Sequence, residues 1–237
     1  MTNYSESWGR GTNEAPAPTR EGECLLEPSA KKRPGLREAQ TEKSPLWGSS
    51  RGALARTKRL LVILDLDETL VHVPDQPLGR RADFTVAEHV GYCRPHLEGF
   101  LSELRERYRV AIWTAAGHDY AQAVVSAIVP WHGELAFLWS AEHCTAHLDR
   151  ETREASTFKK LGKVEELGFD LARVLMVDDS PEKHLRNYAN LVPIAPFLGS
   201  HADVELPAVA AYLRSLADHP DVRTVEKRFW RTARSVP

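Results

Sequence analysis

No stretch of this chain approaches the ~20 consecutive apolar residues needed to span a bilayer, so no membrane role is expected. The first thirty residues also lack the apolar segment of a secretory signal. Cysteine is scarce. Cys24, Cys93 and Cys144, odd in number and irregularly spaced, argue against a disulfide framework and for a reducing compartment. A strong excess of one charge is missing too. A formal net charge of −2 gives no electrostatic case for direct nucleic-acid binding or for an anionic membrane surface. Together these absences lead to the expectation of an intracellular, cytoplasmic protein. Its 237 residues hold one α/β domain with a full core, not two, and the oligomeric state is left open.

Residues 1–56 mix Pro, Gly, Ser, Thr, Glu and Lys without helical or strand periodicity, which predicts a disordered N-terminal tail. Lys31-Lys32-Arg33 within it reads as a solvated charge run, with a docking patch as the alternative. Residues 57–220 alternate apolar runs with amphipathic stretches, the pattern of βαβ units and a mainly parallel, Rossmann-like sheet flanked by helices. Strands are predicted over 60–64, 109–113, 135–139, 173–177 and 191–194, with a strand pair around 83–86 and 89–92. Helices are expected from Pro95 to about Arg107, Asp119 to Ile128, up to about Leu167 with Gly168 as its stop, and Val204 to Leu216. Residues 140–156 carry no clear pattern. The C-terminal extension, 221–237, reads as a short helix or a frayed end.

The chemistry gathers at strand ends. Leu60 to Leu64 is an almost unbroken run of branched side chains, as in a strand buried on both faces, and Asp65 follows at its carboxyl end. Ligands of open α/β sheets bind beyond those ends. Asp65 and Asp67, Thr114, Lys159 or Lys160, and Asp178 with Asp179 all fall at or near such positions. Singly, each has an ordinary explanation: a turn cap, a strand-end hydroxyl, a surface lysine. As a set they suit phosphoryl transfer through an aspartyl phosphate. A carboxylate attacking a phosphate meets like-charge repulsion, so the site calls for a cation and for donors on the transferred oxygens. Magnesium fits hard oxygen ligands of this kind. A carboxyl at its ordinary pKa is protonated about one part in a thousand at pH 7, and contact with the ion would lower that further. Asp67 is therefore expected to give the metal its backbone carbonyl and to keep its carboxyl for proton transfer.

Asp65-Leu66-Asp67-Glu68-Thr69-Leu70-Val71-His72 resembles the first motif of the haloacid dehalogenase superfamily. More narrowly, it resembles the branch of phosphatases acting on the RNA polymerase C-terminal domain and related proteins. Arg94-Pro95-His96, Thr114-Ala115, Lys159 nine residues before Gly168-Phe169-Asp170-Leu171, and Val177-Asp178-Asp179-Ser180-Pro181 extend the similarity over about 59–216. The resemblance implies Asp65 as nucleophile and Asp67 as acid and base. It puts Thr114, Ala115 and Lys159 on the phosphate and Asp65, Asp67 and Asp179 on Mg2+, with Asp178 and Thr69 in support. Two departures stand out. Ser140-Ala141-Glu142-His143-Cys144 lacks the arginine that eukaryotic members often carry in a Phe-Arg-Glu-x-Cys element, and Lys159-Lys160-Leu161 replaces Lys-Asp-Leu, making Lys160 a competitor for the lysine role.

A separate reading takes Cys93-x-x-His96 and Cys144-x-x-His147 as zinc ligands, although neither pair has the framing of a zinc knuckle. Short intervals after the first motif and the second strand leave little room for a cap domain. An open site of that kind suits a phosphorylated protein or peptide, with Phe84, Trp131 and Trp139 as groove-lining candidates. The expected activity is thus a magnesium-dependent phosphoserine/phosphothreonine phosphatase. The alternatives are a phosphatase of small phosphate monoesters and a non-catalytic binding module of the same fold.

Overall fold

The computed structural model describes residues 59–148 and 155–232. The predicted tail over 1–56, with Lys31-Lys32-Arg33 and Cys24, lies outside these residues, as does the end of the C-terminal extension.

Strand β1 (Leu61–Leu64) is buried along its whole length. Successive side chains of a strand point to opposite faces. Val62 and Leu64 enter one core, whereas Leu61 and Ile63 enter a second core across the sheet. A strand apolar on both faces needs cover on both sides, and it has it. Numbering strands in chain order, β1 lies between β5 (Arg109–Trp113) and β9 (Val174–Asp178), pairing in parallel with both. Strands β6 (Leu138–Trp139) and β10 (Leu191–Pro193) complete the parallel sheet in the order β10-β9-β1-β5-β6. Helices α1 (Leu97–Arg107), α2 (His118–Ile128) and α4 (Glu205–Leu216) cover the first core. On the other face Val164 of the short helix α3 (Gly162–Glu166) packs with Leu161.

Two small antiparallel insertions accompany this sheet. Strands β2 (Val71–His72), β3 (Phe84–Val86) and β4 (His89–Cys93) form a three-stranded sheet just after the first motif. Hairpin β7 (Thr145–Leu148) and β8 (Ala155–Phe158) lies mostly within the stretch that had no readable pattern and takes Thr157 and Phe158 from the start of the expected helix. Both are too small to be a cap domain. The expected architecture is therefore observed: a mainly parallel sheet flanked by helices, with no large cap among the described residues.

Several boundaries differ from the sequence reading. The strand expected over 135–139 keeps only its last two residues, because a 3-10 turn at His132–Glu134 delays the chain's arrival at the sheet edge. The helix expected up to Leu167 shrinks to five residues and is stopped at Gly168, whose φ of 86° is one that glycine adopts without strain. The C-terminal extension turns through a 3-10 helix at Val222–Thr224 and then docks. Trp230 is fully buried, donates to the Pro193 carbonyl at 2.7 Å and stacks on Tyr212. Phe84 and Trp131 pack against the first core and Trp139 against the second, so opposite faces of the sheet separate them and they line no common groove.

Candidate active site

The parallel register sets the site. Leu64 pairs with Ile112 on one side and Val177 on the other, so Asp65 emerges level with Trp113 and Asp178. Its N–H donates to the Val177 carbonyl at 3.0 Å, continuing the ladder one step past the strand. Thr114 begins the loop after β5, with Ala115 next to it.

Lys159 follows β8 and carries its ammonium into this row. Its Nζ lies 2.5 Å from Asp65 Oδ1 and 2.6 Å from Asp178 Oδ2, and all three side chains are buried. Lys159, not Lys160, enters the cluster. His184 approaches Asp178 from the far side, Nε2 to Oδ2 at 2.8 Å, and the Ser180 N–H donates to Asp178 Oδ1 at 2.9 Å. Asp179 accepts from the Thr69 hydroxyl at 3.2 Å. Asp67 is engaged elsewhere: the Tyr120 hydroxyl donates to one carboxylate oxygen and the Thr114 hydroxyl to the other at 3.3 Å. The Thr114 oxygen also accepts from the Ala116 N–H at 3.0 Å.

The electrostatics follow from burial. Asp65 is pushed up to about 7 by burial and then by the Asp178 charge, against the pull of Lys159. Burial would also raise Asp178, but Lys159 and His184 outweigh it and hold that carboxyl far below the usual range. Lys159 would be lowered by burial alone, and its two carboxylates instead hold it above its ordinary value. Asp179 is raised by burial and by Asp178. Carboxylate oxygens of Asp65, Asp178 and Asp179 all lie within 4.8 Å of one another. Two of these three are driven toward the protonated form by burial and mutual repulsion, which a divalent cation would relieve. A hard ion with oxygen ligands fits these residues. Asp178 suits such an ion less well than the others, because Lys159, His184 and the Ser180 N–H already occupy its oxygens.

The turn carrying Asp67 is held from below. Glu68 has a φ of 54°, a left-handed conformation that costs a non-glycine residue energy and needs support. Arg94, fully buried, supplies it. Its guanidinium makes a two-pronged contact with Asp203, 2.9 Å on each prong, and donates to the carbonyls of Thr69 at 3.1 Å and Ala195 at 2.8 Å. The Glu68 carbonyl also accepts from the Phe197 N–H at 2.6 Å. This is the work of the Arg94-Pro95-His96 element.

The site residues read from sequence thus fall into two groups. Asp65, Lys159, Asp178, Asp179 and Thr69 form one connected set, and Asp67 with Thr114 forms a second beside it. Tyr120, His184, Asp203 and Asn187 were not read from sequence. Tyr120 had one weak signal, its position in the first turn of the helix after Thr114. The others had none. The zinc reading does not hold: among the described residues the acidic trio alone gathers three metal-capable side chains, and Cys144 instead directs its thiol at the Thr114 carbonyl, 3.8 Å away.

A family model described as NLI interacting factor-like phosphatase matches residues 60–223. The chain belongs to that family. Similar proteins include human carboxy-terminal domain RNA polymerase II polypeptide A small phosphatase 1, 31% identical over 175 residues, covering 70% of this chain and 63% of the relative. CTD nuclear envelope phosphatase 1 of Xenopus tropicalis is 29% identical over 199 residues, 78% of each chain. Among solved structures, the fission yeast RNA polymerase II CTD phosphatase Fcp1 bound to beryllium fluoride superposes with a TM-score of 0.47 at 21% identity, covering 70% of this chain and 53% of that one. Membership of this phosphatase family makes the chain a phosphoric monoester hydrolase. One expectation is overturned. Relatives from Xenopus and from Drosophila melanogaster are named as nuclear envelope phosphatases, which points away from the cytoplasm. Absent targeting signals are a weak guide to compartment. Among the described residues no helix is long and apolar enough to cross a membrane.

Proposed function

We propose that this protein hydrolyses phosphoserine and phosphothreonine on proteins, with Mg2+, through a phosphoryl group carried transiently on Asp65. The observation that carries this reading is the Lys159 ammonium bridging Asp65 and Asp178 at the carboxyl end of the sheet. A buried cation fixed there keeps the attacking carboxylate oriented and offers a positive charge to the phosphoryl oxygens as they crowd it.

In the first half-reaction an Asp65 oxygen bonds to phosphorus and the bond from phosphorus to the seryl or threonyl oxygen breaks. Asp67 gives its proton to that departing oxygen. In the second, Asp67 takes a proton from water, the water oxygen bonds to phosphorus, and the Asp65 carboxylate leaves with free phosphate as product. Tyr120 holds the Asp67 carboxyl for both transfers, with Thr114 bonded to its other oxygen before substrate binds. In this reading the Ala115 backbone meets the phosphoryl oxygens, and the Thr114 hydroxyl turns from Asp67 to join it when the phosphoryl group is bound. Mg2+, held by Asp65, the Asp67 carbonyl and Asp179 with Thr69 behind it, would supply the charge that offsets repulsion between carboxylate and phosphate. Asp178, with its oxygens occupied, orients Lys159. The absence of a large cap suits a phosphorylated side chain presented on a polypeptide, and the names of the two similar phosphatases agree with that substrate class.

The test is phosphate release by purified protein with Mg2+, comparing a phosphopeptide panel with a panel of phosphorylated metabolites. Selective turnover of phosphoserine and phosphothreonine peptides is expected. Comparable turnover of free metabolites would favour a small-molecule phosphatase, and no turnover of any ester would leave only a binding module.

A further inference from the structure

The segment just after Asp178-Asp179 makes contacts that the proposed chemistry does not itself require. His184 closes a 3-10 turn, Pro181–His184, and its ring is fully buried. Nε2 bonds to the same Asp178 oxygen that takes Lys159, whereas Nδ1 has no partner among the described residues. The same turn and Asn187 just after it reach the main chain of Lys159. The Lys159 N–H donates to the Lys183 carbonyl at 3.0 Å, and the Asn187 side-chain amide donates to the Lys159 carbonyl. Asn187 also accepts from the Leu161 N–H at 3.3 Å.

We propose that residues 183–187 form a clamp that positions Lys159, with His184 and Asn187 as its positioning residues. The argument is geometric. Lys159 has four rotatable side-chain bonds, and a cation that must meet a phosphoryl group loses effect when it samples several rotamers. Asp178 alone fixes one end, but a carboxylate free to rotate would carry the ammonium with it. Three bonds to Asp178, from Lys159, His184 and the Ser180 N–H, stop that rotation. The bonds to the Lys183 carbonyl and from the Asn187 amide fix the other end at the backbone. The buried His184 ring thus acts on the reaction through Asp178, without touching substrate.

This inference rests on the phosphatase reading, and the experiment separates the two. Wild type, Lys159→Met, His184→Phe, His184→Gln and Asn187→Ala are compared by steady-state kinetics on one phosphopeptide and by thermal unfolding. An inactive wild type refutes the phosphatase reading, and a fully active Lys159→Met refutes the role of Lys159 within it. With wild type active and Lys159→Met impaired, the clamp predicts a kcat about 10- to 100-fold lower in His184→Phe and in Asn187→Ala, the range typical of lost supporting contacts, with KM within about twofold. His184→Gln keeps an N–H donor near the Nε2 position and should recover kcat to within about threefold. The clamp is overturned if folded His184→Phe or Asn187→Ala keeps the wild-type kcat. A change in KM alone, or a His184→Gln as impaired as His184→Phe, overturns it equally. Should His184→Phe not fold, Asn187→Ala decides, since it leaves Asp178 untouched.

Discussion

Lys159 and Asp65, 94 residues apart in sequence, meet at 2.5 Å with both side chains buried. The proposed nucleophile and its cation are therefore one electrostatic unit, and each explains the other's presence in the interior. A buried lysine without a carboxylate would shed its proton, and a buried aspartate without a cation would take one up.

Replacing Asp65 by Asn should abolish both turnover and covalent phosphorylation of the protein. Asp67→Asn should cut turnover by about 10²- to 10⁴-fold, the usual contribution of a positioned acid–base group, and most severely for substrates with poor leaving groups. Rapid-quench phosphate release and phosphoprotein trapping measure both. Normal hydrolysis by Asp65→Asn would end the mechanism.

Removal of divalent ions should stop turnover, and adding Mg2+ back should restore it. Mg2+ at a hundredfold excess over its Kd should also stabilise the folded chain by about 2.7 kcal/mol, seen as a raised Tm. Thr69→Val removes the hydroxyl behind Asp179 and should weaken Mg2+ affinity by about 10- to 100-fold in the same thermal titration. An unchanged affinity would mean that the Thr69 hydroxyl does not support the ion's ligands.

In metal-free buffer the Asp65 carboxyl should make stability depend on pH. Its folded value of about 7 lies above the ordinary carboxylate range, so between the two the folded chain holds a proton that the unfolded chain has released. Stability from this group is present at low pH and is lost as pH rises toward about 7. The Tm of Asp65→Asn relative to wild type should therefore climb between about pH 4.5 and 7.5. A flat or falling difference would contradict the burial argument.

Arg94→Met should destabilise the protein by about 3–5 kcal/mol, because it leaves Asp203 without its partner and the Thr69 and Ala195 carbonyls without their donor. Urea unfolding measures this. A cost below about 1 kcal/mol would mean that the turn around Glu68 does not depend on the guanidinium.

Trp230→Ala should cost about 3–5 kcal/mol, as expected for truncating a fully buried aromatic side chain. Such a loss would establish the docked extension as part of the folded unit. Wild-type stability in the variant would instead mark it as an accessory segment.

Much of the fold was legible because burial writes itself into sequence. The run at Leu61–Leu64 has no polar face, which is what the centre of a covered parallel sheet requires, and β5 and β9 read the same way. Edge elements were harder. β6 keeps two residues, and in the β7–β8 hairpin Ala146, His147 and Thr157 are exposed, so neither carries a long apolar pattern. The stretch at 221–232 looked basic and mixed, and a single buried indole outweighs that composition.

What the sequence determined by itself was the set of chemical groups at strand ends: the Asp65–Asp67 pair, Thr114, the candidate lysines and Asp178-Asp179. Strand period and strand ends are local properties, set by which side chains follow which. Partnership is not local. That Lys159 rather than Lys160 meets Asp65, that Asp178 is held by His184, that Asp67 is held by Tyr120, and that Arg94 braces the turn all depended on tertiary structure. The physical reason is that a buried charge takes whichever partner the sheet register and the packed cores bring within about 3 Å; His184 lies only six positions from Asp178, but the other pairs, 25 to 94 positions apart, enter that range only after the chain has folded.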